Sequence, residues 1–336
     1  MEETPADYIV SIQDLRVRFR TLLGISQAVD GVSLQIPRGK VLGVVGESGC
    51  GKSVTGLSIL QIVPHRGEIE SGRILFKESA EAASAELLAY DRYGPEMRAI
   101  RGNHISMIFQ EPMTSLNPCY TIGDQVMEAV RLHSQDKTET KARALDILRK
   151  VEMPNPERIL GTYPHQLSGG MRQRAMIATA LSCRPVLLIA DEPTTALDVT
   201  TEAQILELMR QLQAEIGMSI LFITHNMGVV AQMCDEVAVM YLGKVVEQAS
   251  VDEIFYNPRH PYTISLLRSI PRVGGGQRGQ LESIKGTVPD PYTRISGCPF
   301  HPRCPVCIEG VCDTVMPEVS RVSAADSHFV RCHLYA

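Results

Sequence analysis

The sequence has no apolar run that approaches the ~18–20 residues needed to span a membrane. Its longest apolar runs, 185–190 and 219–223, are short. Basic residues are not in excess either, because 33 Lys and Arg stand against 38 Asp and Glu, a net charge of −5. The opening residues, MEETPADY, are acidic and polar, so we expect no secretory signal. These absences argue against a membrane-spanning chain, an exported chain and a nucleic-acid binder.

The composition is that of a globular protein with a real core, since 44% of the 336 residues are hydrophobic and 21% are charged. A chain of this length predicts roughly two domains. Strands that alternate with helices predict an α/β fold with a mostly parallel sheet. We expect one domain over 1–255, with a helical subdomain at about 115–175, and a loop-rich, cysteine-containing extension over 256–336. Residues 77–98 are predicted to form an exposed insertion with little core.

A glycine-rich loop follows the continuously apolar strand Val41–Val45 and precedes a helical pattern over Val54–Ile62. The loop matches the GxxxxGK[ST] pattern. Its glycines let successive backbone N–H groups point at phosphate oxygens, and the helix N-terminus adds partial positive charge. Lys52 can reach the β- and γ-phosphates, and the hydroxyl of Ser53 can ligate Mg²⁺. The predicted phosphate-binding residues are Gly46, Glu47, Ser48, Gly49, Cys50, Gly51, Lys52 and Ser53.

Polar side chains stand where apolar strands end. Asp191 and Glu192 follow the strand Val186–Ala190. Asp191 can hold Mg²⁺ through water and Glu192 can polarise an attacking water as a general base; the alternative is a cap pair for the next helix. Gln110 and His225 follow two further apolar strands. Because ligands bind at the carboxyl ends of parallel strands, we expect both to face the γ-phosphate, the alternative for each being a structural role.

A second helix N-terminus follows the turn Leu167-Ser-Gly-Gly-Met171, which opens a basic helix over 171–182. Free N–H groups there would make a second anion site, whereas the alternative is an ordinary cap by Ser168. Spacing alone does not say which phosphate the turn would meet.

In this order the motifs resemble those of the nucleotide-binding subunit of an ATP-binding cassette (ABC) transporter, over essentially the whole chain. The resemblance implies an ABC-type nucleotide-binding domain: a RecA-like P-loop core, an antiparallel β subdomain and a helical signature subdomain. The matching segments are Gly46–Ser53 (Walker A), Val186–Asp191 (Walker B), Gln110 (Q-loop), Leu167–Met171 (signature), Ala196–Asp198 (D-loop) and His225 (switch histidine). The signature ends in Met171, where many members have glutamine.

The resemblance also implies roles that spacing does not give. Two subunits would face head to tail, with each ATP between the Walker A loop of one and the signature turn of the other. ATP binding would close the pair of subunits, and the energy of this closure would be transmitted to membrane subunits through the helical subdomain and residues 111–118. Phe19 is expected to stack on adenine, the alternative being a core aromatic. The implied residues are Glu192, His225 and Gln110 for catalysis, Ser53, Gln110 and Asp191 for Mg²⁺, and Ser168, Gly169, Gly170 and Asp198 for ATP.

Residues 257–263 and 297–304 resemble the C-terminal extension of the oligopeptide and dipeptide importer subfamily, which also includes importers of nickel, glutathione and oligosaccharides. This resemblance implies two transmembrane permease subunits, a second ABC ATPase subunit that is a paralogue, and an extracytoplasmic solute-binding protein. It places the chain peripherally on the cytoplasmic face of the inner membrane. The alternatives are an export ATPase, disfavoured by the extension, and an ABC-type ATPase acting on nucleic acid, disfavoured by the net charge.

Five of the nine cysteines lie between 298 and 332, a grouping that suggests metal binding in a reducing compartment. Cys298, Cys304, Cys312 and Cys332 have the spacing C-x₅-C-x₇-C-x₁₉-C. The resemblance favours a [4Fe–4S] cluster of structural role, with structural zinc as the alternative. Cys307 is an alternative ligand, and three histidines that would suit zinc lie nearby: His301, His328 and His333. Separately, Cys50 is expected to be a small filler at a position that tolerates serine, the alternative being a thiol whose pKa is lowered by the nearby backbone N–H groups and Lys52.

Overall fold

The structure is a computed structural model of the chain. It describes residues 7–110, 115–133, 139–195, 197–270, 284, 286–290, 292–293, 295–322 and 328–336. The strands are β1 (Tyr8–Thr21), β2 (Gly24–Pro37), β3 (Val41–Val45), β4 (Gly67–Phe76), β5 (Ala85–Glu86), β6 (Ile105–Ile108), β7 (Leu187–Asp191), β8 (Ser219–Thr224), β9 (Glu236–Tyr241), β10 (Lys244–Ser250), β11 (Ser320–Arg321) and β12 (Phe329–Val330).

The helices, in chain order, are α1 (Lys52–Ile59), α2 (Pro95–Ile100), α3 (Ile122–His133), α4 (Thr140–Lys150), α5 (Pro156–Ile159), α6 (Gly169–Leu181), α7 (Val199–Ile216), α8 (Met227–Met233), α9 (Val251–Tyr256) and α10 (Pro261–Arg268). Single 3₁₀ turns occur at Leu87–Ala89, Pro164–Gln166, His301–Arg303 and His333–Tyr335. Within the part of the chain that the structure describes, no helix is both long and apolar enough to cross a membrane.

The chain divides into two compact units. The first unit contains residues 1–9, 36–40 and 76–222, and the second contains residues 10–35, 41–75 and 223–336. The second unit therefore groups the C-terminal residues with the glycine-rich loop. The sequence-based boundary between 255 and 256 stays a prediction.

The first unit has a parallel sheet with the order β8-β7-β6. β6 and β7 pair in parallel, with Ile105 opposite Leu187 and Ile108 opposite Ala190. All five residues of β7 are buried, as their continuous apolar run predicts for a strand covered on both faces. Helices α3, α4 and α6 pack against one another beside this sheet. Their buried side chains recur at helical spacing, for example Val126 and Val130 on α3.

Residues 77–98 have little core, as predicted, because only Leu87, Gly94 and Met97 among them are buried. Leu87 and Met97, in the first unit, have no exposed surface. Leu87 begins a 3₁₀ turn and Met97 lies on α2, whose first residue is Pro95. Two isolated apolar side chains thus fix a segment that is otherwise rich in alanine and glutamate.

In the second unit β3 pairs in parallel with β9, with Leu42 opposite Glu236 and Val45 opposite Val239. β10 pairs antiparallel with both β9 and β12, and the strand order is β11-β12-β10-β9-β3. A second sheet has the order β2-β1-β4. β1 and β2 are adjacent and joined by two residues, Leu22 and Leu23, so they form an antiparallel hairpin.

The described C-terminal residues of the second unit are mostly loops, as predicted, and α10 is their longest regular element. α10 begins at Pro261 and buries Tyr262 completely, and Phe300 is also buried. The rings of Tyr241, Tyr262 and Phe300 pack together with centroids 4.7–5.4 Å apart. This aromatic cluster joins the C-terminal residues to the end of β9, next to the glycine-rich loop in the same unit.

Candidate functional site

The phosphate loop, Gly46–Ser53, leaves the buried strand β3 and ends in the first turn of α1. The ammonium of Lys52 is buried and donates hydrogen bonds to the carbonyl oxygens of Gly46 (2.7 Å) and Glu47 (3.0 Å). Gly46 and Gly51 have φ values of 154° and 100°. A Cβ at these two glycines would lie 2.1 Å from the Met240 carbonyl oxygen and 2.2 Å from that of Ala28. No other residue fits, so the loop needs glycine for both backbone shape and space.

Glu47, the second residue of this loop, is held by groups that the sequence did not predict. Its backbone N–H donates to the hydroxyl of Tyr262 (2.9 Å). Its carboxylate accepts two hydrogen bonds from the guanidinium of Arg303, at 2.7 Å and 3.1 Å. Arg303 also approaches the Tyr241 hydroxyl (3.4 Å), and its side chain is 4% exposed. Partners more than 200 positions away carry no local signal, which is why sequence analysis missed them.

The thiol of Cys50 is buried within the same loop. Burial raises its pKa, although the neighbouring Lys52 acts in the opposite direction. The alternative of a lowered pKa is therefore wrong, because desolvation of the thiolate outweighs the attraction of the ammonium. The buried position fits the expected small filler side chain.

Glu192 and Gln110 come together in the first unit. The pairing of Ile108 with Ala190 places the residues that follow β6 beside those that follow β7. The side-chain amide of Gln110 donates to a carboxylate oxygen of Glu192 (3.1 Å). The hydroxyl of Thr195 donates to the same oxygen (3.0 Å). The carboxylate is thus fixed at the carboxyl end of the sheet, where a general base would be required.

The turn around Glu192 has its own supports. Asp191 is buried at the end of β7, and Glu192 has a left-handed backbone with φ of 45°. Gln173, buried on α6, donates from its side-chain amide to the carbonyl of Pro193. Such a φ is uncommon outside glycine and is typical of residues whose conformation the surroundings impose.

The signature turn lies at the N-terminus of α6 in the first unit. Ser168 caps the helix, its hydroxyl accepting a hydrogen bond from the Met171 N–H (3.4 Å). Ser168 and Gly169 are exposed, whereas Gly170 faces Thr201 on α7 so closely that a Cβ would lie 2.8 Å from the threonine methyl. The capping role expected as the alternative for Ser168 is therefore present. An exposed helix N-terminus remains available to an anion.

Asp198 caps α7 next to this turn. Its carboxylate accepts hydrogen bonds from the N–H (3.0 Å) and the hydroxyl (2.7 Å) of Thr201. These bonds lower the pKa of Asp198. Among the residues implied for the D-loop, Ala196 lies outside the described residues, as do residues 111–114 of the segment expected to contact membrane subunits.

Phe19 and His225 lie in the second unit, as the phosphate loop does. Phe19 is half-buried on β1, and its ring lies over Gly67, where a Cβ would come within 2.8 Å. His225 is exposed directly after β8. The first unit holds the other group of predicted residues: Gln110, Asp191, Glu192, Ser168, Gly169, Gly170 and Asp198. The roles assigned to all these residues stay predictions.

A cavity of about 660 Å³ opens beside Gly49 in the second unit. Its wall includes the basic side chains of Arg16, Arg18 and Lys244 and the ring of Tyr292. The Tyr292 hydroxyl accepts a hydrogen bond from Thr21 (3.1 Å), near the tip of the β1–β2 hairpin. The same wall includes three carboxylates, Asp30, Glu70 and Asp290, and the first two pair with the basic side chains, so the wall carries no net positive charge.

The C-terminal cysteines are all free thiols. Burial raises the pKa of Cys298 to about 11, with the charges of Cys312, Cys332 and Cys304 acting in the same direction, so these four thiols are close enough to interact. Cys332 lies two residues beyond β12, which β10 holds in register. Cys307 contacts Cys312. Nevertheless, among the described residues no group of three or more His, Cys, Asp or Glu side chains is arranged to hold a metal ion.

The three neighbouring histidines have other partners. A ring nitrogen of His301 lies 2.9 Å from the carbonyl oxygen of Cys298, and one of His333 lies 2.8 Å from that of Val315. His328 is buried and pairs with the buried carboxylate of Glu247 at 2.7 Å. The available donors in this part of the chain are therefore mainly thiols, which are chemically suitable ligands for iron or zinc. In the described residues they are not already arranged as a set of metal ligands.

The buried strand, the glycine-rich loop with its lysine and the strand-end carboxylates define a P-loop nucleotide hydrolase. Residues 29–195 match the family described as ABC transporter, and residues 246–312 match the oligopeptide/dipeptide transporter C-terminal region. A probable peptide ABC transporter ATP-binding protein of Sinorhizobium fredii is 47% identical over 96% of this chain and 94% of its own length. A dipeptide transport ATP-binding protein of Bacillus subtilis is 48% identical over 97% and 94%. The chain belongs to the ATP-binding proteins of ABC transporters.

Solved structures agree with this assignment. The ATP-binding cassette MJ0796, in a dimeric post-hydrolysis state bound to ADP and Pi, has a TM-score of 0.62 and 26% identity, covering 72% of this chain and 98% of that one. CbiO1 of Clostridium perfringens, part of an ABC transporter complex, has a TM-score of 0.60 and 28% identity, covering 75% and 92%. The predicted ABC-type α/β fold and the predicted ATPase class are confirmed.

Proposed function

We propose that the chain binds and hydrolyses ATP to energise the import of dipeptides or oligopeptides through an ABC transporter. The observation that carries the hydrolytic part is the Glu192 carboxylate, which Gln110 and Thr195 hold at the end of β7. The names of the relatives, peptide and dipeptide transport ATP-binding proteins, support the solute class. The match of residues 246–312 to the oligopeptide/dipeptide transporter C-terminal region supports it independently.

The roles proposed for the individual residues follow from the motifs to which they belong. The phosphate loop surrounds the β- and γ-phosphates with backbone N–H groups, and Lys52 exchanges its bonds to loop carbonyls for bonds to phosphate oxygens. Ser53, Gln110 and Asp191 would hold Mg²⁺, which supplies neutralisation of phosphate charge. Glu192 orients and deprotonates the attacking water, and His225 contacts the γ-phosphate. ATP would then lie against Ser168, Gly169 and Gly170 of a second subunit.

Replacing the general base tests hydrolysis directly. Glu192→Gln keeps the size of the side chain and its contacts with Gln110 and Thr195 but removes its basicity. We expect ATP turnover to fall by at least ~10², with ATP binding retained. Glu207→Gln, on the exposed side of α7, is the matched control and should leave turnover unchanged. Unchanged turnover in Glu192→Gln would exclude Glu192 as the base.

The proposed partners follow from the importer assignment. We propose two transmembrane permease subunits, a second, paralogous ABC ATPase subunit and an extracytoplasmic solute-binding protein, with this chain on the cytoplasmic face of the inner membrane. Nickel, glutathione and oligosaccharides are the alternative solutes of the same subfamily. Uptake of a labelled dipeptide by cells with and without the gene tests the solute. Competition by unlabelled peptides would support a peptide solute. Competition by Ni²⁺ or an oligosaccharide instead would favour that alternative solute over peptides.

We also propose that Cys298, Cys304, Cys312 and Cys332 hold a structural [4Fe–4S] cluster, with zinc as the alternative. The mutual interaction of these thiols and their soft donor chemistry support it. Because the described residues contain no preformed ligand group, binding would have to draw the thiols closer together. Iron, zinc and acid-labile sulfide are to be measured on protein purified without oxygen. About four iron and four sulfide per chain support the cluster, one zinc without sulfide supports the alternative, and no metal refutes both.

A further inference from the structure

The contact between Glu47 and the C-terminal residues has no part in the roles described above. Glu47 lies inside the phosphate loop, yet its carboxylate is bound by Arg303 and its N–H by Tyr262. Arg303 lies between Cys298 and Cys304 and is the last residue of a 3₁₀ turn. Tyr262 lies in the first turn of α10. Two separate segments beyond residue 256 therefore converge on one residue of the loop.

The electrostatic consequence is the main one. A carboxylate in a loop that binds a triphosphate repels the ligand unless a cation neutralises it. Arg303 provides that charge through a two-pronged ion pair, and the strength of such a pair increases when the guanidinium is shielded from water. The Arg303 side chain is 4% exposed and that of Glu47 is 24% exposed. The pair also turns the carboxylate toward the C-terminal residues.

The geometric consequence concerns the backbone. The Tyr262 hydroxyl accepts a hydrogen bond from the Glu47 N–H, so this N–H points at the aromatic cluster of Tyr241, Tyr262 and Phe300. The direction of the loop immediately after Gly46 is thereby set before any ligand binds. A loop whose shape is fixed in advance loses less conformational entropy on binding.

We propose that Arg303 and Tyr262 are positioning residues for the phosphate loop, which make the affinity for ATP depend on the folded state of the C-terminal region. They touch Glu47 and act on ATP through it. This inference rests on the proposed ATP-binding function. If the wild-type chain does not bind ATP, that function fails; if it binds ATP and the variants below bind equally well, only this inference fails.

Titration of the isolated full-length chain with Mg-ATP tests the proposal. Arg303→Met should raise the Kd about tenfold or more, since a charged hydrogen-bonded pair is lost and Glu47 is left unneutralised. The KM for ATP should rise in parallel, while kcat at saturating ATP changes much less. The Kd of Arg303→Lys should lie between those of wild type and Arg303→Met, because lysine keeps the positive charge but cannot donate two parallel hydrogen bonds to the Glu47 carboxylate. The control is Arg321→Met, an exposed arginine of the same region that stacks on Phe329; it should bind ATP like wild type.

A rescue experiment separates positioning from a merely structural role. If the unneutralised carboxylate causes the defect, Glu47→Gln combined with Arg303→Met should regain most of the lost affinity. Tyr262→Phe removes only the hydroxyl and should raise the Kd about threefold or more, which keeps the proposal testable if Arg303→Met does not fold. Kd values within twofold of wild type for every folded variant would overturn the proposal, as would a double variant no better than Arg303→Met.

Discussion

At the scale of single residues, Gly170 shows how closely the signature turn packs on its own unit. A Cβ at this position would lie 2.8 Å from the methyl of Thr201, and the Thr201 hydroxyl is engaged by Asp198. The threonine therefore cannot rotate away without losing that bond. Gly170→Ala should lower the free energy of unfolding by about 1–3 kcal/mol, the usual cost of overpacking.

Removal of the opposing methyl is the control for this prediction. Thr201→Ser keeps the hydroxyl that bonds Asp198 but deletes the methyl. The double variant Gly170→Ala with Thr201→Ser should recover most of the lost stability in urea unfolding. If Gly170→Ala is as stable as wild type, the turn is less constrained than its geometry implies.

The residue contacts divide into those the sequence could predict and those it could not. Gln110 and Glu192 follow neighbouring parallel strands, so the rule for strand ends anticipates their meeting. The pair of Glu47 and Arg303 is a single contact between distant segments, and neither residue belongs to a pattern. The pKa of Cys50 depends on burial, which the sequence of the loop does not reveal.

At the scale of elements, strong periodicity predicted the bounds of strands and helices, whereas a sparse pattern predicted only that a segment is largely exposed. The apolar run Val41–Val45 forms β3 with the same bounds, and the predicted helix Thr201–Ile216 forms α7 from Val199. The segment 77–98 has only a few apolar side chains and no repeat. Tertiary contacts, rather than its own pattern, bury Leu87 and Met97.

The N-terminus of α10 provides an element whose stability depends on pH. His260 caps this helix: its buried Nδ1 accepts the N–H of Tyr262 (3.0 Å), which requires a neutral ring. Burial lowers the pKa of His260 from 6.5 to about 4, although the nearby Glu247 acts to raise it. The unfolded chain therefore binds more protons than the folded one between these values. Stability is full above about pH 6.5 and is lost as the pH falls toward 4, by about 2 kcal/mol between pH 7.5 and pH 5.

Urea unfolding at several pH values, compared with His260→Asn, checks this prediction. Asparagine keeps an acceptor for the cap but does not titrate, so its stability should fall less than that of wild type over this range. Other groups that titrate contribute equally to both proteins and cancel in the difference. Parallel pH profiles for the two proteins would contradict a neutral, buried His260.

At the scale of the whole molecule, the two proposed phosphate-binding surfaces would serve two different ATP molecules. The phosphate loop would hold this chain's own ATP. The exposed turn of Ser168 and Gly169 would meet the ATP of the second subunit in the assembled importer. Changes in the turn should therefore impair hydrolysis by the assembly and spare nucleotide binding by the isolated chain.

Gly169→Glu is the sharpest form of this last prediction. A Cβ at Gly169 would meet only Leu197, at 3.9 Å, so the substitution is accommodated without strain. The new carboxylate would stand at a helix N-terminus that otherwise attracts phosphate and would repel the partner's ATP. We expect ATP hydrolysis by the assembled importer to fall at least about tenfold, with the Kd for ATP of the isolated chain unchanged.

Gly161→Glu adds the same charge to an exposed glycine of the same unit that lies before the signature turn and outside it, and its nearest contact to an added Cβ is 3.8 Å. It should leave both measurements unchanged. Since Gly161 does not lie at this helix N-terminus, a fall in hydrolysis confined to Gly169→Glu supports phosphate binding at the signature turn. Equal hydrolysis by both variants would mean that the turn meets no ATP, and Ser168 would then act as a helix cap alone.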